Sequence, residues 1–260
     1  MYVKAKYSGE LLNAEGDGDL WTPGGVIGSA EKLARAYRQR EKLQIAGFTA
    51  ISGAGNIIRG NKLREHGIAQ GYEDVLGRLA TIQNTLVISA RLKQRSIPHE
   101  IFVAGTMGLV DGTLGTLEPH DMEAEKQAHD NERLVLIAGG SGEDNKTTDN
   151  AVLHYANVHK SAYPDDKVTV LKGTKHDGIF SGDPEILKGD AVRYSEISAG
   201  YMLQAGLGGV ETACLETIQA TGLSMRAYKD AEHDLEAALA MNGSGIGTLI
   251  VPGYSEPVPA

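Results

Sequence analysis

The chain has 260 residues, 41% of them hydrophobic and 23% charged, with 25 basic against 34 acidic side chains for a net charge of −9. That length and balance fit a globular α/β protein with a full core, and the acidic surface argues against a nucleic-acid partner. The one cysteine, Cys214, excludes an internal disulfide and a cysteine-built zinc site and suits a reducing, cytoplasmic setting. No apolar run reaches the roughly 20 residues of a membrane span, and the start reads without the apolar core of a signal peptide.

In chain order, YVKAKY at residues 2–7 reads as a first strand. SAEKLARAYRQREKLQ has helical spacing, with Leu33, Tyr37 and Leu43 on one stripe and Ser29 as the expected N-cap. AGFTAIS is a second strand that runs into the glycine-rich SGAGN. YEDVLGRLATIQNTLVISARLKQ is a long helix with Val75, Leu79, Ile82 and Leu86 on one face. PHEIFVA is a strand, GTMGLVDGTLGTLEP a glycine-rich loop, and HDMEAEKQAHD a short exposed helix. RLVLIAGGSG is a buried type of strand, TTDNAVLHYANVH a helix, and KVTVLKGTKHDG a strand and turn. AVRYSEIS is an expected edge strand, GVETACLETIQATG a helix, LSMRAY a strand, DAEHDLEAALA a helix and IGTLIVPG the final strand. Residues 253–260 are expected to be a loose tail.

Strands and helices alternate throughout, which predicts an α/β three-layer sandwich with a mostly parallel central sheet, in one domain over 1–260. Ligands in such sheets bind at the carboxyl ends of the strands. Four glycine- and lysine-rich turns follow strands: KYSGE from Lys6, SGAGNIIRG from Ser52, GGSGEDNKTTD from Gly139 and LKGTKHDGIFSGDP from Leu171. Taken singly, each reads equally well as an ordinary turn. Backbone N–H groups in such turns bind anions, and the Arg59 fork suits a phosphate. Read from Gly140, the third turn is a P-loop pattern with Asn145 in place of its second glycine. The competing reading has Ser141 and Gly142 lining a substrate while Thr147, Thr148 and Asp149 open a helix, with Asp149 ordering a lysine or a metal. His120, His129, His154, His159 and His176 form no ligand set by spacing and read as surface or satisfied histidines.

In this order the turns resemble the amino-acid kinase superfamily, and within it the bacterial UMP kinases. The resemblance is carried by Lys6-Tyr7-Ser8-Gly9-Glu10, Gly53-Ala54-Gly55-Asn56 with Arg59-Gly60, DVLGRLATIQN from Asp74 to Asn84, GSGEDNKTTD from Gly140 to Asp149, KGTKHDGIFSGDP from Lys172 to Pro184, and Gly247-Thr248-Leu249-Ile250. It covers nearly the whole chain. It implies transfer of the ATP γ-phosphoryl group to UMP without a P-loop. Lys6 and Lys175 would neutralise the group in flight, with Asp149 organising both. Gly53, Gly55, Arg59, Asp74, Ser141, Gly142, Glu143 and Thr148 would bind the acceptor, Arg59 at its phosphate and Asp74 at its ribose. Lys6, Ser8, Gly9, Gly55, Lys172, Thr174, Phe180 and Asp183 would hold ATP. Mg2+ would ride on the ATP phosphates, so no protein metal site is expected. A homohexamer is implied as well.

The sequence departs from the family pattern at Ala54, at Glu143 to Lys146, at Glu211 where the family carries aspartate, and at Thr106 to Pro119. Two other readings stay open beside UMP kinase. One is another phosphotransferase of the superfamily, acting on a carboxylate, carbamate or isoprenoid phosphate. The other is a non-catalytic relative that binds nucleotides or oxyanions.

Overall fold

The computed structural model describes residues 1–13, 19–58, 63, 65–68, 72–104, 109–111, 115–142, 146–230, 235–239 and 246–260. The expected site residues Arg59 and Glu143 lie outside them.

Among the described residues eleven strands form one sheet in the order β11-β8-β10-β9-β7-β1-β2-β6-β3-β5-β4. They are β1 (Tyr2–Tyr7), β2 (Gly47–Ser52), β3 (His99–Val103), β4 (Leu109–Asp111), β5 (Gly115–Pro119), β6 (Leu134–Ala138), β7 (Val168–Thr174), β8 (Tyr194–Ser198), β9 (Met225–Lys229), β10 (Thr248–Val251) and β11 (Val258–Pro259). The block β9-β7-β1-β2-β6-β3-β5 is parallel throughout, as is the β8/β10 pair. The antiparallel pairs are β9/β10, β8/β11 and β4/β5.

β1 is the central strand, and its alternation divides the molecule. Val3, Ala5 and Tyr7 face one side, where they pack with α1 (Pro23–Arg38), α2 (Tyr72–Gln94) and α8 (Leu235–Leu239) through Leu33, Ile88, Leu92 and Leu239. The second apolar layer joins Ile51, Val135, Ile137 and Val170 to α3 (Met122–Asp130), α4 (Thr148–Ala162), α6 (Ala199–Ala205) and α7 (Thr212–Thr221). A short helix, α5 (Pro184–Leu187), follows β7. Each fully buried leucine or isoleucine of these layers contributes roughly 1.5–3 kcal/mol through the hydrophobic effect.

Five expectations need correction. The first helix begins at Pro23, not after Ser29: the Thr22 hydroxyl caps Gly25 N–H at 3.2 Å and Pro23 opens the first turn. Two glycines in that turn hid it, and Gly25 is there because a Cβ would sit 2.5 Å from the Leu11 and Leu12 carbonyls. Second, the glycine-rich segment after β3 contains the β4/β5 hairpin. Third, the helix expected to be exposed, α3, buries Glu125, Ala128 and His129. Fourth, β8 is not an edge strand, because the C-terminal residues pair with it as β11 and Ser255 exchanges hydrogen bonds with Ser198. Residues 253–260 are therefore not loose. Fifth, the predicted stripe of α2 is buried only at Ile82: Leu86 is half-buried, while Val75 and Leu79 are exposed beside Tyr72.

Of the histidines expected to be at the surface or satisfied, two are inside and hydrogen-bonded. His129 and His159 are both buried. His129 and His120 converge on Glu125, His120 at 2.8 Å and His129 at 3.3 Å, while His159 bonds Asp166 at 2.9 Å. Lys4 of β1 completes the cluster with a direct ion pair to Glu125, and Thr49 donates to the same carboxylate. Burial alone would push the Glu125 carboxyl up. The Lys4 ammonium and the hydrogen bonds from His120 and His129 outweigh it and hold that group well below the usual carboxylate range.

Candidate active site

The carboxyl ends of β1 and β2 open into two glycine turns that touch each other. Gly9 follows β1 and Gly53 follows β2, and a Cβ on Gly9 would lie 2.4 Å from the Gly53 carbonyl and 2.9 Å from Asn84 Nδ2. Gly53, Ala54 and Gly55 are absent from the positions with left-handed backbone, so the methyl of Ala54 is compatible with the turn. The need for glycine here is contact, not conformation. Gly9→Ala is therefore expected to push the two turns apart and lower turnover by at least about 100-fold, as misplacement near 1 Å does; a steady-state assay of the folded variant checks this.

Between these turns and the start of α4 lies a cavity of about 180 Å³, lined by Lys6, Ser8, Gly9, Glu10, Gly53–Gly55 and Thr147–Asp149. α4 starts there because Thr147 caps it, its hydroxyl facing Asn150 N–H at 3.5 Å. The same hydroxyl donates to Glu211 Oε2 at 2.8 Å, so Glu211 is tied to the rim of the cavity.

At the base of the cavity, Asp149 meets two lysines. Its Oδ1 lies 3.3 Å from Lys6 Nζ and its Oδ2 lies 2.6 Å from Lys172 Nζ. Lys6 and Lys172 are register partners on the parallel strands β1 and β7, so their side chains leave the sheet side by side. Adjacent like charges repel, and Asp149 compensates both. Burial would push the Asp149 carboxyl up, but the two ammonium groups prevail and lower it. Lys172 also donates to the Gly209 carbonyl at 2.9 Å.

The expected contact between Asp149 and Lys175 is not made. Lys175 lies one residue past the end of β7, 73% exposed, and pairs with Glu185 of α5. Other expected residues have local partners. Ser8 N–H goes to Asp230 Oδ2 at 3.2 Å, and Gly53 N–H to the Tyr7 carbonyl at 3.1 Å. Thr174 Oγ1 donates to the Tyr228 carbonyl at 2.9 Å. Asp183 caps α5 by accepting from Glu185 N–H at 2.8 Å, and Phe180 is half-buried with its ring edge-on to His176.

Gly139, Gly140 and Gly142 all take left-handed backbone conformations, with φ of 86°, 68° and 80°. The loop they form is pinned at three points. Gly139 N–H donates to Thr81 Oγ1 at 2.8 Å, Tyr155 donates to the Gly140 carbonyl at 2.9 Å, and Arg78 to the Gly142 carbonyl at 2.9 Å. Arg78 also bonds the Asp74 carbonyl at 3.3 Å, which brings Asp74 of α2 and the loop of Ser141 and Gly142 to one guanidinium. Thr148 begins α4 at the cavity wall.

Several residues that support the site were not among those expected to form it. Asn84 is fully buried; its Nδ2 donates to the Gly53 carbonyl at 2.7 Å and to Asn56 Oδ1 at 2.7 Å, while its Oδ1 accepts from Asn56 and, at 2.8 Å, from Trp21 Nε1. Arg78, Thr81 and Asn84 recur every three residues on one face of α2, so a single helix props both the Gly53 turn and the Gly139 loop. That spacing was the available signal. Asp230 and Lys32 left none.

The model of the amino acid kinase family matches residues 5–227, and the chain belongs to that family. The P-loop reading of Gly140 onward therefore falls. The chain is 30% identical over 249 residues to the uridylate kinase of Nitrobacter winogradskyi, which covers 95% of this chain and 96% of that one. It is 28% identical over 258 residues to the uridylate kinase of Legionella pneumophila, covering 98% and 95%. Among solved structures, the UMP kinase of Bacillus anthracis superposes with a TM-score of 0.80 at 22% identity, over 100% of this chain and 98% of that one. That of Ureaplasma parvum gives 0.79 at 20% identity, over 96% and 98%; these two likenesses establish the fold.

Proposed function

We propose that this chain is an ATP:UMP phosphotransferase, forming UDP and ADP. The observation that carries the reading is the pair of in-register lysines, Lys6 and Lys172, held by Asp149 at the base of a glycine-walled cavity. Two uridylate kinases of near-identical extent support the acceptor.

An oxygen of the UMP phosphate attacks the γ-phosphorus, and the bond to the β–γ bridging oxygen breaks to release ADP. The acceptor phosphate, with a second pKa of about 6, is already mostly dianionic at neutral pH, so no side chain need remove a proton. Positioning and charge neutralisation carry phosphoryl transfer. Lys6 and Lys172 supply the positive charge, and Asp149 fixes their direction. Gly9 and the Gly53–Gly55 turn approach the phosphates. Lys175, Thr174, Phe180 and Asp183 border the donor nucleoside, and Ser8 lines the cavity through its side chain. On the acceptor side, Arg59 binds the phosphate, Asp74 the ribose, and Ser141, Gly142, Glu143 and Thr148 the base-proximal wall.

Both Asp149 oxygens face lysines, so the donor set fits Mg2+ held by ATP phosphates and water rather than by the protein. There it would neutralise and orient the β- and γ-phosphates. The exposed stripe Tyr72, Val75 and Leu79 on α2 is a surface on which copies of this chain would associate, and the homohexamer is the assembly that the family resemblance implies. The single, buried Cys214 suits the cytoplasm. No helix among the described residues is long and apolar enough to cross a membrane.

The test is ADP release from Mg-ATP with UMP, CMP, dUMP, AMP and GMP supplied singly. Turnover with UMP well above the others is expected. Preference for CMP moves specificity onto the loop of Glu143, and no turnover with any acceptor overturns the reading.

A further inference from the structure

One buried ionic cluster behind the cavity is not absorbed by the chemistry above. Asp230, at the end of β9, is 1% exposed. Its Oδ2 accepts Ser8 N–H at 3.2 Å, and its Oδ1 accepts from Lys32 Nζ at 2.8 Å and from the Tyr228 hydroxyl at 3.3 Å. Lys32, on α1, also donates to the Asp230 carbonyl. One carboxylate thus ties together the turn after β1, the first helix and the end of β9.

The neighbouring strand makes room for it. A Cβ on Gly173 would fall 2.4 Å from Asp230 Oδ2 and 2.6 Å from its Cγ. Gly173 has an ordinary backbone, so glycine is required there by the carboxylate and not by φ. Gly173 and the carboxylate at Asp230 are two halves of one arrangement.

We infer that Asp230, with Lys32 as its counter-ion, is a positioning residue for the ATP phosphates, acting through the Ser8–Gly9 turn. A buried carboxylate held by a lysine is a fixed acceptor. It takes the Ser8 N–H out of the phosphate-binding set and fixes the Tyr7–Ser8 peptide plane that leads into Gly9. The backbone donors offered to the nucleotide therefore begin at Gly9. Ser8, expected to donate its N–H to phosphate, instead contributes the anchored end of the turn. This rests on the reading that the cavity takes ATP phosphates.

Two measurements test it. In the first, Mg-ATP affinity is read by calorimetry and turnover by ADP release, for the wild type and three variants. Asp230→Asn keeps an oxygen acceptor for Ser8 N–H and is expected to keep the ATP Kd within about threefold. Asp230→Ala with Lys32→Met removes both charges, avoiding an orphaned ammonium, and is expected to weaken ATP about tenfold with the UMP KM unchanged. Adding Gly173→Ala refills the space and is expected to restore Tm but not ATP affinity. An unchanged ATP Kd in the charge-free variant, or its recovery on adding Gly173→Ala, overturns the inference, since Asp230 would then only fill space. The second measurement needs no variant. With serine and glycine 15N-labelled, the Ser8 amide of the wild type is expected to be protected from exchange with and without nucleotide, while the Gly9 amide responds to it. A Ser8 amide that exchanges freely and becomes protected only by ATP overturns the inference. Wild-type protein that binds ATP but phosphorylates no acceptor defeats the UMP kinase reading and leaves both measurements decisive; failure to bind ATP defeats both.

Discussion

Replacing Lys172 by alanine is expected to lower kcat about a thousandfold while the protein stays folded, and replacing Lys175 is expected to lower it less than about fivefold. The reason is placement. Lys172 sits in register with Lys6, nearly buried, 2.6 Å from Asp149, where a positive charge aimed at a reacting phosphoryl group is worth about 10²–10³ in rate. Lys175 is exposed and paired with Glu185, and such surface pairs contribute no more than about 1 kcal/mol. Steady-state kinetics on both variants, with Tm measured alongside, decide the matter. If Lys175→Ala is the dead enzyme and Lys172→Ala retains turnover, the lysine assignment is inverted, and Lys175 leaves Glu185 to act when nucleotide binds.

The second large effect concerns stability. Glu125→Ala should cost about 3–5 kcal/mol and lower Tm by roughly 10 °C, because it strands the Lys4 ammonium in the core. Lys4→Met together with Glu125→Leu should cost far less, since no charge is left unpaired. The pH dependence has a definite sign. The Glu125 carboxyl is held below its ordinary value of 4.5 in the folded protein, so the stability it contributes is complete above that pH. It is lost as pH falls from there toward the folded value. The Tm difference between wild type and Glu125→Gln should therefore shrink on acidification below about pH 4.5. A difference that stays constant, or an alanine variant within 2 °C of wild type (about 1 kcal/mol), removes Glu125 from its stabilising role.

The alternation of strands and helices was legible because the longer helices carry a 3.6-residue apolar period and the central strands short apolar runs; α5 and α6 are too short to show one. The glycine turns were legible as a set. What escaped was whatever depends on strand register. Lys172 and Lys175 stand three residues apart in one motif, and only the extent of β7 and its pairing with β1 decide which one faces Asp149. The start of α1 was hidden for a different reason: two glycines with poor helix propensity stand in its first turn, one of them, Gly25, required by contact with Leu11 and Leu12. The C-terminal segment looks loose by composition, yet it finds the open side of β8. Glu125 and His129 carried a weak signal in their i, i+4 spacing on α3, but nothing local could announce that Lys4, 121 residues away, would meet them.

Trp21 is the chain's one tryptophan, and its indole N–H ends on the same asparagine that props the Gly53 turn. The molecule thus contains a native chromophore two hydrogen bonds from its cavity. Occupancy of the glycine turns is therefore expected to change the light this indole emits, in unlabelled and unmutated protein, without any reaction taking place.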